Sequence, residues 1–194
     1  MITAIEKQTL RTKLEQYEGK ISHMYLDSKG FVTVGIGHLI RNLAAAQQLK
    51  FKNTKNMPAS TAEIKTDFEA VKKQPANRLA IYYKRFTQLT LSDTEIDKLT
   101  DKHIDAFGKE LKIIYPGFDQ FPSPVKLALF DLVFNVGMTD LRIKWPNFNA
   151  AIKANDWRKA ANNSNRKAPI SRERNKYVKD LLEKAAKTTN SATP

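Results

Sequence analysis

The 194-residue chain contains no cysteine, which excludes disulfides and thiolate metal sites and leaves no signature of a redox compartment. Its three histidines, His23, His38 and His103, lack the short spacing of a zinc-ligand set, so no metal and no cofactor is expected. No uninterrupted apolar run approaches the roughly 18 residues of a membrane span, and stable membrane insertion is not expected. The opening residues, MITAIEKQTLRTK, lack the apolar core of a cleaved secretory signal. Synthesis in the cytoplasm is therefore expected, with some other route if the protein acts outside it. No internal repeat occurs. The polar end from Lys187 to Pro194 reads as a flexible tail, set at 188–194.

Acidic residues are scarce beside basic ones. Thirty-three Lys and Arg face 20 Asp and Glu, for a net charge of +13. Between Arg142 and Lys187 there are 13 Lys or Arg against Asp156, Glu173, Asp180 and Glu183, a balance of +9. Such a region attracts a polyanion: nucleic acid, anionic lipid, or a cell wall with peptide carboxylates and teichoic phosphates. Charge alone does not choose among them.

The 41% apolar content and its periodic placement predict a folded chain with one sizeable core or two lobes. A first helix opens on Thr3-x-x-Glu6 and turns Ile5, Leu10, Leu14 and Tyr17 to one face, ending at Gly19. Met24–Leu26 and Phe31–Ile36 then read as a hairpin around Asp27-Ser28-Lys29-Gly30. A short helix is expected over Leu43–Leu49, and Ser60-x-x-Glu63 opens another carrying Ile64, Phe68 and Val71 until Pro75. Leu79–Leu89 leans to strand.

Ser92 and Glu95 form a capping box, with Leu91 stapling to Ile96, for a helix reaching about Ile114. Ser123 and Pro124 start the most apolar helix, which Gly137 ends and which should be buried on nearly all sides. Helices over about 148–153, 156–162 and 171–186 complete an α+β, mainly helical protein with a small N-terminal antiparallel sheet.

The chemistry concentrates in EGKISHMYLDSKGFVTVGIGH, residues 18–38. Glu18 falls at a helix end, beside aromatic Tyr17 and the helix's partial negative charge, surroundings that favour its neutral form. Asp27, nine residues on, opens a polar turn where water and N–H groups keep it ionised. Thr33, six further, projects a hydroxyl from the second strand. Two carboxyl groups in unlike surroundings meet the need of glycosidic cleavage for one acid and one ionised partner. Each residue taken singly is ordinary, since a helix-end Glu and a D-S-K-G turn are common; the combination is what points to chemistry.

Gly35-Ile36-Gly37 lacks the third glycine of a dinucleotide-binding loop, because position 40 is Ile40. His38 reads as a structural histidine at the sheet end. Asp131, which interrupts the apolar helix, is expected to pair with a Lys or Arg, with a catalytic role as the minority reading. Trp145 and Trp157 read as core anchors in preference to sugar-stacking platforms.

The segment Tyr17–Ile40 resembles the catalytic segment of the phage-type lysozymes, glycoside hydrolase family 24, exemplified by T-even phage endolysins. The likeness resumes at Leu91–Leu99, at Val125–Gly137 and at Asn155–Ala161, and more faintly at Pro169–Val178. It implies a two-lobed lysozyme-like fold with a central buried helix, one catalytic domain over 1–187. The smaller lobe would span about 18–90, and the helical lobe about 91–187 with the first helix. It implies a muramidase cleaving the β-1,4 bond between N-acetylmuramic acid and N-acetylglucosamine, usually with inversion. Glu18 would be the acid, Asp27 the second carboxylate and Thr33 the water-positioning group; Leu39, Phe134 and Asn163 would line the sugar cleft.

Departures are an insert of about 26 residues between His38 and Ser92, Phe148 where a cleft serine is expected, and a choice of Arg172 or Arg174 near the last helix. The insert also resembles pesticin-like toxin domains and lysozyme-like secretion effectors. Peptidoglycan strands are thus the expected partner of a monomer acting on the periplasmic wall, after holin-type release or delivery by a secretion or uptake system. An immunity protein would be a partner if the chain is a toxin. The competing readings are a catalytically inactive wall-binding module and a basic nucleic-acid-binding protein; no recognised nucleic-acid motif supports the latter.

Overall fold

The computed structural model describes residues 2–190 and resolves into two units, Leu14–Lys102 and Met1–Lys13 with His103–Pro194. The protein is α+β and mainly helical, as expected, with a single three-stranded antiparallel sheet among the described residues. The unit boundaries fall inside two helices rather than at their ends.

The smaller unit begins in helix α1 (Ala4–Glu18). Thr3 and Glu6 make the expected reciprocal cap, Glu6 N donating to Thr3 Oγ1 at 3.1 Å and Thr3 N to Glu6 Oε2 at 2.7 Å. The buried face is Glu6, Leu10 and Leu14, while Ile5 is 80% exposed, which corrects its expected inward placement. Turning the capping Glu6 inward rotates Ile5 by one position to solvent. Gly19 closes the helix with φ +77°, its N–H donating to Glu15 O at 3.0 Å. The hairpin forms as β1 (Ile21–Leu26) and β2 (Val32–Gly35), and β3 (His38–Leu39), not foreseen as a strand, adds a third. Strand order is β1-β2-β3.

The segment over 41–90 supplies α2 (Leu43–Gln47) and α3 (Thr61–Lys72), both near their expected positions. Ser60 and Glu63 form a complete capping box, and Ile64, Phe68 and Val71 are buried. The strand expected over 79–89 is instead helix α4 (Ala80–Tyr83) followed by a 3-10 turn over Lys84–Phe86. Burial recurs at Tyr83 and Thr87, a helical interval. Tyr83 donates its hydroxyl to Pro75 O at 2.8 Å, so packing overrides β-propensity. Helix α5 (Asp93–Ile114) starts as expected, with Glu95 N on Ser92 Oγ at 3.3 Å. The Glu95 carboxylate takes Lys98 Nζ at 2.7 Å.

In the other unit, α6 (Ser123–Val136) is buried without interruption from Val125 to Val133. Each Leu or Phe so buried contributes about 1.5–3 kcal/mol. Its cap is Pro122 rather than Ser123. Around α6 lie α7 (Met138–Lys144), which sequence reading missed, and α8 (Pro146–Lys153), α9 (Trp157–Asn162) and α10 (Arg172–Asn190). Helix α10 carries through 188–190, correcting the expected tail there; residues 191–194 lie outside the described ones.

Phe118 meets Phe130 edge-on at 6.0 Å, and Phe121 meets Trp157 at 5.3 Å. Asp131 pairs with two arginines, Arg166 at 2.7 Å and Arg174 at 3.1 Å, which bears out the expected partnering. Among the described residues no helix is long and apolar enough to cross a membrane.

Candidate active site

Glu18, Asp27 and Thr33 all belong to the smaller unit, and local structure assigns each a distinct setting. Glu18 is the last residue of α1 and is exposed. The stretch just after it is pinned by Lys20, which reaches Asp97 at 3.0 Å and Glu15 at 3.5 Å. Desolvation opposes the Lys20 charge, yet the carboxylates of Asp97 and Glu15 prevail and hold its pKa above the usual lysine value.

Asp27 is half-buried at the head of the hairpin turn. Its Oδ1 accepts from Lys29 N and Phe31 N, both at 2.9 Å, and the turn closes with Gly30 N on Asp27 O at 3.0 Å. One carboxylate oxygen is thereby spent on shaping the turn. Among the described residues the other, Oδ2, accepts no hydrogen bond.

Thr33 is directly opposite Tyr25 on β1 and Leu39 on β3. The three therefore share one face of the sheet, and Met24, Leu26, Val32 and Val34, all buried, belong to the core. Thr33 is 3% exposed, and its hydroxyl donates to Phe31 O at 3.0 Å, which leaves its lone pairs to accept from water. Leu39 is 40% exposed at the end of this row.

Tyr25 was missed by the sequence reading and ties the site together. Burial, then Asp27, then Glu18 push its phenol up to about 12. Both carboxylates thus act on one hydroxyl. The signal available in sequence was parity: Tyr25 is two residues before Asp27 in extended chain at the strand end, hence on the same side. His38 is half-buried and pairs with Val34, as befits a scaffold role.

Phe134 and Asn163 belong to the other unit. Phe134 is half-buried, and its ring meets Phe107 edge-on at 4.9 Å. Asn163 lines a cavity of about 540 Å³ together with Asn135, Trp145, Asn165 and Lys167. This cavity is rich in amides, bears cations and has an aromatic wall. Trp145 is only half-buried there, so it faces the cavity as well as Phe148, whereas Trp157 is 4% exposed and wholly a core residue. Phe148 is 1% exposed, placing its ring in the core rather than on a polar surface.

No group of His, Asp and Glu among the described residues has the arrangement of a metal site. Comparison of the sequence with protein-family models and with curated proteins gives no match in either case.

Proposed function

We propose that the protein is a peptidoglycan hydrolase, a muramidase that cleaves the β-1,4 bond between N-acetylmuramic acid and N-acetylglucosamine. The observation that carries this reading is the pairing of unlike carboxylates about Tyr25: exposed Glu18 at a helix end, and turn-anchored Asp27 with Oδ2 open. Glu18, protonated, gives its proton to the glycosidic oxygen as the bond breaks. Asp27 Oδ2 takes a proton from the attacking water, and Thr33 Oγ1 accepts that water's second hydrogen. This arrangement gives inversion at the anomeric carbon. After turnover Asp27 returns its proton to solvent and Glu18 recovers one.

The motif's resemblance to phage-type lysozymes and the basic surface both support the reading, since the wall is a polyanion and attraction speeds encounter. The amide-rich cavity around Asn163 offers donors and acceptors to an acetamido sugar. The natural setting we propose is lysis of a bacterial wall by an endolysin or a delivered toxin domain; in the second case an immunity protein is the further partner.

Digestion of purified peptidoglycan, with fragments identified by mass, tests the proposal. A muramidase leaves N-acetylmuramic acid at the new reducing ends, whereas a binding module or a nucleic-acid-binding protein releases nothing.

A further inference from the structure

The segment over 53–89 has a cavity of its own, about 460 Å³, bounded by the 53–55 loop, the start of α3 and the extended segment at Gln88 and Leu89. Its rim is built before any ligand arrives. Asn53 Oδ1 accepts from Lys55 N at 3.1 Å and Met57 N at 3.2 Å, while Asn53 Nδ2 donates to Glu63 Oε1 at 3.1 Å. Glu63 Oε2 accepts from Ser60 N at 2.7 Å and Ser60 Oγ at 2.9 Å. These side chains are committed to shape.

Asp67, by contrast, is 4% exposed and has an oxygen to spare. Its Oδ2 accepts from Gln88 N and Leu89 N, both at 2.8 Å. Oδ1 accepts nothing among the described residues and is not sealed away from the cavity that Asp67 lines. Burying a carboxylate without a full set of donors is costly. The burial raises its pKa against the pull of the two backbone donors. A cavity wall that carries one unfilled acceptor has room for a donor that is not part of the chain.

We infer that this cavity is a second saccharide site, separate from Glu18 and Asp27, which takes a neutral, hydroxyl-rich sugar ring with a ring hydroxyl donating to Asp67 Oδ1. An ammonium donor fits less well. It would bring a desolvated charge, and the cations of Lys55 on the rim and Lys84 nearby oppose it. A hydroxyl satisfies the same oxygen at no such cost. Thr66 spends its proton on Ala62 O at 3.0 Å, so its Oγ1 faces the cavity as an acceptor. Gln88 supplies both a donor and an acceptor. Ala62, exposed at the start of α3, gives a small apolar contact for the C–H face of a ring. No aromatic ring lines the site, so binding is weak, with Kd of about 1 mM.

The inference stands on residues 53–89 and does not depend on hydrolysis. Its test is titration of the neutral tetramer of N-acetylglucosamine into 15N-labelled full-length Glu18→Gln protein, a background that keeps the probe intact. The amides of Glu63, Gln88 and Leu89 should move saturably. Asp67→Asn keeps an oxygen for the two backbone donors but turns an amino group to the cavity, and should weaken these shifts about tenfold. Thr66→Tyr fills the cavity from an exposed helix position and should abolish them, which keeps the inference testable if Asp67→Asn fails to fold. Absence of shifts at these amides, or shifts that persist in folded Thr66→Tyr protein, overturns the inference. So does movement of the same amides by free lysine but not by the sugar, which would assign the cavity to an amine.

Discussion

Tyr25 on β1 faces Thr33 on β2 across the sheet, and its phenol is pushed up to about 12 by burial and by the charges of Asp27 and Glu18. One aromatic hydroxyl therefore lies in the field of both carboxylates.

The first consequence is an alkaline instability. In the unfolded chain this phenol ionises at its ordinary value of about 10, and in the folded protein it is pushed up to about 12. Below the lower value both states keep the proton and Tyr25 gives no slope. Between the two, the unfolded chain loses its proton first, so stability falls as pH rises. Melting temperatures should drop more steeply between pH about 10 and about 12 in the natural protein than in Tyr25→Phe. Tyr115, also raised by burial, leaves some slope in the variant. Equal slopes would contradict the placement of Tyr25.

Asp27 has two jobs on two oxygens, and substitutions can separate them. Asp27→Asn retains an oxygen for Lys29 N and Phe31 N, so its melting temperature should stay near that of the natural protein while turnover is lost. Asp27→Ala removes the turn acceptor as well and should cost a further ~1 kcal/mol of stability. Thermal melts of the pair with an activity assay check this. Retained turnover in Asp27→Asn would make Asp27 a turn residue and nothing more.

Much of this was legible in sequence because it rests on local rules. Caps at Thr3, Ser60 and Ser92, the D-S-K-G turn and the all-round apolar α6 are each fixed within a few residues, and they form where expected. What was not legible depends on distant partners. Leu79–Leu89 has strand-forming residues, but Tyr83 is drawn into the core, its hydroxyl on Pro75 O, and the segment coils. Ile5 lost its inward place because Glu6, carrying the cap, took it. Helix α7 has only Leu141 fully buried, too weak a pattern to read as a period. Tyr25 escaped notice because an aromatic in a strand is ordinary until its cross-strand neighbours are known.

The glycines after Thr33 differ in what they tolerate. Gly35 has φ +68°, and a Cβ there would lie 3.1 Å from Ile96 Cγ2. Gly37 has φ +70° with nothing within 4 Å. Gly37→Ala should cost only the backbone strain of about 1–2 kcal/mol, and Gly35→Ala measurably more, because Ile96 must shift as well. Urea unfolding of the two variants orders them. The reverse order would contradict the packing of β2 on α5.

The buried charge cluster should be intolerant of losing its centre. Asp131→Ala leaves Arg166 and Arg174, 4% and 5% exposed, without their shared anion. The expected loss is about 3–5 kcal/mol, or about 10 °C or more in melting temperature. A change of under ~1 kcal/mol would show that the arginines find other partners.

The most direct measurement of the central claim is digestion of one peptidoglycan preparation by the natural protein and by Glu18→Gln, with reducing ends identified by mass. The natural protein should release muropeptides ending in reducing N-acetylmuramic acid, and Glu18→Gln, folded to the same melting temperature, should release at least about a thousandfold less. Equal release by both proteins would remove Glu18 from the chemistry, and no release by either would contradict the muramidase itself.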